Sequence, residues 1–294
     1  MSRIELKACG TALVTPFKNG EVDYDAYAQC IDRQVRAGVK FLVPLATTGE
    51  TPTLSFDEKV QLLKITRAHA PNLPLLVGAG ANSLHTTISN MELLSPLGVD
   101  AFLIVVPYYN KPTQEGQLQY FKAVSEMSDK PVVIYNVPGR TGANMAAQTT
   151  VRLARECPNI IGIKEASGNW SQVSEILRSA PEDFAVLSGD DEMTFPFMAC
   201  GAKGVVSVAS NVAPAEVEQM AEALLAGDIR TARELHFRLL PLFRNCFVES
   251  NPIPVKAAME AAGMIGAEVR LPLSEATPAT KQLMSQTLSE LWQK

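Results

Sequence analysis

Lys164 ends the run Ile160-Ile161-Gly162-Ile163-Lys164. A charged ammonium is expensive to bury beside such β-branched, apolar neighbours. Burial there favours the neutral amine, the form that attacks a carbonyl carbon and gives an imine. A second reading stays open at this point: the lysine stem lies on apolar atoms while its head reaches water. Other reactive side chains also sit just after apolar runs. They include Thr47-Thr48-Gly49-Glu50, Ala79-Gly80-Ala81-Asn82, and Pro107-Tyr108-Tyr109-Asn110-Lys111-Pro112. Further along come Tyr135-Asn136-Val137-Pro138-Gly139-Arg140-Thr141-Gly142, Ser188-Gly189-Asp190-Asp191 and Ser207.

These parts fit one chemistry. Lys164 attacks a 2-oxo acid, and the cationic imine nitrogen then acts as an electron sink. Tyr135 moves the protons released as the imine forms. Thr47, Thr48 and Tyr109 extend that relay through hydroxyl-to-hydroxyl hydrogen bonds. Amides and the hydroxyl near Thr47-Thr48 hold the substrate carboxylate, as loop amides commonly hold anions. Arg140 offers a planar fork to a second carboxylate. Plainer roles compete with some of these. Tyr108 and Tyr109 can pack at an interface, and Arg140 can pair with a structural carboxylate. Asp190-Asp191 reads as a metal pair or, better, as turn and helix-cap residues. Gly78-Ala79-Gly80-Ala81-Asn82 lacks the full glycine pattern and the lysine of a phosphate loop.

What must position these residues is a series of βα units. β-rich runs recur roughly every 25 to 35 residues with helical patterns between them, which predicts a parallel sheet. The predicted strands are Gly10–Thr15, Phe41–Ala46, Leu75–Gly80, Ala101–Val106, Val132–Asn136, Ile160–Lys164, Ala185–Ser188 and Gly204–Val208. Their near-continuous apolar character fits burial on both faces. Ser55-Phe56-Asp57-Glu58 has capping-box spacing. Asp23 is a plausible N-cap before Tyr27, Ile31, Val35 and Gly38. Eight strands alternating with helices predict an α/β fold, a (β/α)8 TIM barrel; an open doubly wound sheet is the alternative. In a barrel the carboxyl ends of all strands share one rim, so the scattered groups surround one pocket. Ile229, Ala232, Leu235, Leu239 and Leu242 then recur on one helical face. Asn251-Pro252-Ile253-Pro254 breaks that pattern before a helix near Val255. The expected organisation is a catalytic barrel over 1–226 and a helical extension over 227–294.

Composition narrows the classes. With 47% hydrophobic and 19% charged residues among 294, the chain is an ordinary globule. A net charge of −5 argues against a nucleic-acid surface. No segment approaches the roughly 20 apolar residues that span a bilayer. Met1-Ser2-Arg3-Ile4-Glu5-Leu6-Lys7 has no apolar core leading to a cleavage site. A cytoplasmic location is therefore expected. The five cysteines form no Cys-x-x-Cys pair, and the three histidines show no metal-ligand spacing. Zinc chemistry is not expected, although carboxylates remain able to bind Mg²⁺.

The motifs resemble those of the pyruvate-dependent, lysine-Schiff-base aldolase superfamily and, within it, the 4-hydroxy-tetrahydrodipicolinate (dihydrodipicolinate) synthase family. The resemblance runs from Gly10-Thr11-Ala12-Leu13-Val14-Thr15-Pro16-Phe17 to Asn251-Pro252-Ile253-Pro254-Val255-Lys256. Its most specific pieces are Thr47 to Glu50, Pro107 to Gly116, Tyr135 to Gly142 and Gly162 to Ala166. It implies condensation of pyruvate with L-aspartate-4-semialdehyde in lysine biosynthesis, with no cofactor beyond the covalent imine at Lys164. It implies Tyr135 as central proton relay and Thr48 as the other relay hydroxyl and a pyruvate ligand. It also implies Tyr109 as a tyrosine supplied from an adjacent subunit and Arg140 as the semialdehyde's arginine. Gly189 and Val206 match backbone positions lining the pyruvate site. A homotetramer built from tight dimers is implied too. Asn82 and Tyr108 match the regulatory site of lysine-inhibited relatives. The expected glutamate is replaced by Thr86, and the usual histidine positions hold Phe56 and Lys59, so weak or absent lysine inhibition is expected. Rival readings are an N-acetylneuraminate or 2-keto-3-deoxy sugar-acid lyase and a non-catalytic 2-oxo-acid-binding barrel.

Overall fold

The computed structural model describes residues 4–293; Met1, Ser2 and Arg3 of the N-terminal stretch read above, and Lys294, lie outside them. Eight parallel strands form one sheet: β1 (Ala8–Ala12), β2 (Phe41–Val43), β3 (Leu76–Gly78), β4 (Ala101–Val105), β5 (Val132–Asn136), β6 (Ile160–Glu165), β7 (Ala185–Ser188) and β8 (Gly204–Ser207). Their order is β2-β1-β8-β7-β6-β5-β4-β3. A parallel bridge between Leu42 and Leu75 joins the two end strands and closes the barrel. At this seam an added Cβ on Gly78 would lie 1.9 Å from the Leu45 carbonyl oxygen, so only glycine lets the backbones approach. The open-sheet alternative is thereby excluded.

Alternation along each strand builds two cores. Phe41, Leu76, Leu103, Val133, Tyr135, Leu187 and Val206 pack together inside the barrel. Leu42, Val77, Phe102, Ile134, Val186 and Val205 face the surrounding helices. Two-sided burial is why the strands read as continuous apolar runs.

The helices between strands are α1 (Tyr24–Ala37), α2 (Phe56–His69), α3 (Leu84–Leu94), α4 (Gln114–Met127), α5 (Ala147–Glu156), α6 (Trp170–Ser179), α7 (Thr194–Ala199) and α8 (Pro214–Leu225). Both predicted caps form. Asp23 accepts from the Ala26 amide, and Ser55 and Glu58 exchange their two capping bonds. Tyr27 and Ile31 are buried, but Val35 is 41% exposed because the apolar stripe of α1 ends a turn early. Three C-terminal helices follow: α9 (Ile229–Asn245), α10 (Ile253–Ala261) and α11 (Pro278–Trp292). Helix α9 packs on α8 and α11, and α10 packs on α11. Ala232, Leu235, Leu239 and Leu242 are buried as their spacing predicts. Ile229, at the first turn beside the Asp228 cap, is exposed instead. Among the described residues no helix is long and apolar enough to cross a membrane.

Candidate active site

In-register neighbours of a parallel sheet point to the same side, and the row Tyr135–Lys164–Leu187 crosses β5, β6 and β7. Tyr135 and Leu187 belong to the inner core, so the row faces the barrel interior. Lys164 is only 4% exposed, and its Nζ stands 4.3 Å from the centre of the Tyr135 ring. The reading that places its head in bulk water is therefore set aside. No carboxylate pairs with this amine among the described residues. Glu165, its sequence neighbour, points through the opposite face of the strand. There it accepts from Asn136 Nδ2 at 3.0 Å, Gln172 Nε2 at 3.1 Å and the Ser167 amide at 2.7 Å. Asn136 also accepts from the Met145 amide at 3.0 Å. These buried amides and one carboxylate fix the strand ends that carry Tyr135 and Lys164.

Gly189, after β7, donates its amide to the Glu165 carbonyl at 2.8 Å. An added Cβ here would come within 3.0 Å of Lys164 Cε and 2.7 Å of Ala166 Cβ. Glycine is what leaves room for the lysine stem. Val206 is buried in β8 among the inner-core residues.

Thr47 and Thr48 open a single 3₁₀ turn, Thr47–Gly49, after β2. The turn is tied down by Gly49 N–H to the Ala46 carbonyl at 3.0 Å and by the Thr15 hydroxyl to the Gly49 carbonyl at 2.8 Å. Thr47 is half-buried and Thr48 is buried. Asn251 Nδ2 donates to Thr48 Oγ1 at 2.9 Å. Arg140 lies at the end of a one-turn helix, Pro138–Thr141, and its Nη2 donates to the Asn251 carbonyl at 3.2 Å. It makes no ion pair among the described residues, so the structural-carboxylate reading is not met.

The structure gathers Lys164, Tyr135, Gly189 and Val206, with Thr48 and Arg140 linked through Asn251. It does not gather Tyr109. That residue is 87% exposed in a left-handed turn (φ 70°), away from the barrel interior. Among the described residues no hydrogen bond joins the hydroxyls of Thr47, Thr48, Tyr109 and Tyr135 to one another; Thr48 Oγ1 accepts from Asn251 Nδ2. Asn82 receives a bond on its carbonyl from Asn110 Nδ2 at 2.8 Å, and Tyr108 is 41% exposed. Thr86 is occupied in the cap of α3 through Ser83. Phe56 is exposed, and burial of Lys59 lowers its pKa.

Asp190 and Asp191 serve as turn and cap residues. Asp191 Oδ2 accepts the Val208 and Ala209 amides at 3.0 Å each, and burial raises its pKa. Among the described residues no cluster of three His, Cys, Asp or Glu is placed to hold a metal.

Sequence reading missed the groups behind this site. Lys256 donates to Glu50 Oε1 at 2.5 Å and to the Glu268 carbonyl at 2.8 Å, fully enclosed. Burial pulls the Lys256 pKa down while the Glu50 carboxylate pulls it back up. Arg270 donates its main-chain amide to Glu50 Oε2 at 3.1 Å and pairs with Glu58 through its side chain. These partners are some 200 residues apart, and an Asn-Pro step reads locally only as a turn.

The Dihydrodipicolinate synthetase family model matches residues 5–291. A 4-hydroxy-tetrahydrodipicolinate synthase of Phocaeicola vulgatus is 46% identical over 294 residues, covering 99% of each chain. The dihydrodipicolinate synthase structure from Thermotoga maritima superposes with a TM-score of 0.96 at 43% identity, covering 97% of this chain and 98% of that one. A structure described as the first monomeric dihydrodipicolinate synthase variant gives 0.95 at 42% identity, covering 97% and 96%. The matches span the barrel, the strand ends bearing Tyr135 and Lys164, and the C-terminal helices alike: this chain belongs to the dihydrodipicolinate synthetase family.

Proposed function

We propose that this chain is a lyase that condenses pyruvate with L-aspartate-4-semialdehyde to give 4-hydroxy-tetrahydrodipicolinate, a step of lysine biosynthesis. The observation that carries this reading is the Lys164 amine, enclosed over the Tyr135 ring and without a carboxylate partner among the described residues. The amine adds to the pyruvate keto carbon, and loss of water leaves the imine. Its nitrogen withdraws electrons, so a methyl proton leaves and an enamine forms. The enamine carbon attacks the aldehyde. The substrate's own amino group then displaces Lys164 from the imine carbon and closes the ring, returning the free enzyme. No separate cofactor enters this sequence, because the imine itself is the electron sink.

Lys164 is the nucleophile, and Tyr135 the proton carrier beside it. Thr47 and Thr48 hold the pyruvate carboxylate by their amides and hydroxyl, with Gly189 and Val206 forming the rest of the floor. Arg140, which makes no ion pair among the described residues, receives the carboxylate of the semialdehyde. Tyr109 completes the site of a neighbouring subunit in a tetramer of tight dimers, which accounts for its exposure in the single chain. The division into a barrel, 1–226, and an extension, 227–294, puts all of these residues in the barrel. Lysine inhibits weakly, since Thr86 offers no carboxylate to its ammonium beside Asn82 and Tyr108. A steady-state titration with half-inhibition at sub-millimolar lysine contradicts that point.

A coupled assay offering each aldehyde with pyruvate tests the assignment. Turnover with the semialdehyde, and its selective weakening in Arg140→Ala, is expected. Efficient cleavage of N-acetylneuraminate or 2-keto-3-deoxy sugar acids, with the semialdehyde ignored, overturns it.

A further inference from the structure

Glu50 closes the Thr47–Gly49 turn by donating its amide to the Thr47 carbonyl at 3.1 Å. Its own carbonyl accepts from the amide and the hydroxyl of Thr53, at 2.9 Å each, in the turn that follows. Between these two turns its backbone is left-handed, φ 52° and ψ 35°. A residue with a side chain enters that region only where its surroundings hold it there. Here the side chain supplies the hold. Glu50 is buried, and different parts of the extension take its two carboxylate oxygens: Lys256 Nζ donates to Oε1, and the Arg270 amide donates to Oε2 at 3.1 Å. Lys256 is held just as closely. Its ammonium also donates to the Glu268 carbonyl at 2.8 Å and stands 4.3 Å from the centre of the Phe17 ring.

An enclosed ion pair is a weak source of stability. Desolvation of both charges offsets their attraction, and apolar side chains of similar size often serve as well. What this pair supplies beyond an apolar contact is a fixed place for the Glu50 carboxylate, and with it for the backbone that closes the turn. We infer, on the carboxylate-holding role of Thr47 and Thr48 proposed above, that Lys256 is a positioning residue for pyruvate. Acting through Glu50, it keeps the Thr47–Gly49 turn in the shape that receives the substrate carboxylate. Without the pair the turn holds that shape for only a fraction of the time, and apparent pyruvate affinity falls by the same factor. Bound pyruvate selects the shape again, so turnover at saturation is spared. The pair thus acts on pyruvate affinity and not on the rate of the chemistry.

The test uses the full chain carrying Lys256→Met, Glu50→Gln, or both. Pyruvate affinity is read from the initial rate of borohydride labelling of Lys164 as pyruvate is raised, which needs no second substrate. Turnover, semialdehyde KM and urea unfolding are measured alongside. The combined variant removes both charges, so it regains stability lost in Lys256→Met and folds even if that single variant does not. Its pyruvate half-saturation should still rise about tenfold or more, as for a turn correctly held in about one molecule in ten. Its kcat and semialdehyde KM should stay within about threefold of wild type. Glu50→Gln alone should share the rise. A merely structural pair behaves otherwise: pyruvate half-saturation returns to wild type as stability does, or kcat and both affinities worsen together. Either result overturns the inference alone. Wild-type half-saturation in Thr48→Val overturns the carboxylate-holding turn, and the inference with it. Wild-type protein that gains no pyruvate adduct overturns the proposed function as well.

Discussion

At the scale of single residues, the site depends on space as much as on reactive groups. Lys164 reaches Tyr135 because Gly189 has no side chain to push it aside. Gly189→Ala should displace the lysine stem or Ala166. An overpacking cost of about 1–3 kcal/mol in unfolding free energy is expected, together with slower imine formation. A variant that traps pyruvate at the wild-type rate would show that the stem has slack. Tyr135→Phe removes one oxygen and keeps the ring over Nζ. It should still accept pyruvate at Lys164 but lower kcat by about 10²–10⁴-fold; rapid-mixing kinetics separate the two steps. Undiminished turnover removes Tyr135 from the relay. Lys164 and Tyr135 were legible in sequence because each ends an apolar strand with a side chain that does not belong in a core. Glu165 and Asn136 gave no such signal. Their roles come from side chains on the far face of the same strands, and only the folded barrel shows that Glu165 is satisfied by amides and not by its neighbouring lysine.

Among the elements, period and caps carried most of the fold. Val132–Asn136 and Ala185–Ser188 have the predicted bounds, and the other strands differ by a few residues at their ends. Such slippage arises where the chain leaves the sheet but stays apolar, as after Val43 and Gly78, since Leu45, Ala46 and Ala79 are still buried. The tie between the C-terminal helices and the catalytic rim was illegible, because it rests on contacts between distant segments. Its energetics are open to measurement. Lys256→Met leaves the Glu50 carboxylate enclosed without its cation, which should cost about 3–5 kcal/mol. Adding Glu50→Gln should recover part of that loss in urea unfolding. If the single variant unfolds like the wild type, the pair contributes nothing to holding the loop.

For the whole molecule, closure of the barrel has a consequence for pH. Glu218, on α8, accepts the Cys9 amide of β1 at 3.0 Å, and Lys40 Nζ approaches it at 3.3 Å. Burial nevertheless pushes its pKa up to about 7 from an ordinary 4.5. The folded state therefore binds this proton more tightly than the unfolded one. Its contribution is complete below pH 4.5 and is lost as pH rises through about 7. Glu218→Gln stays neutral throughout. It should be more stable than the wild type above neutrality, by on the order of 1–3 kcal/mol, with the difference fading toward acid. Denaturation at several pH values reads this directly, and a gain that is independent of pH contradicts it.

The most direct measurement of the central claim is borohydride reduction in the presence of pyruvate, followed by peptide mass spectrometry. The expected product is a carboxyethyl group on Lys164 alone, absent when pyruvate or borohydride is omitted and absent in Lys164→Ala. Folded protein that gives no adduct, or carries it on another lysine, contradicts the account.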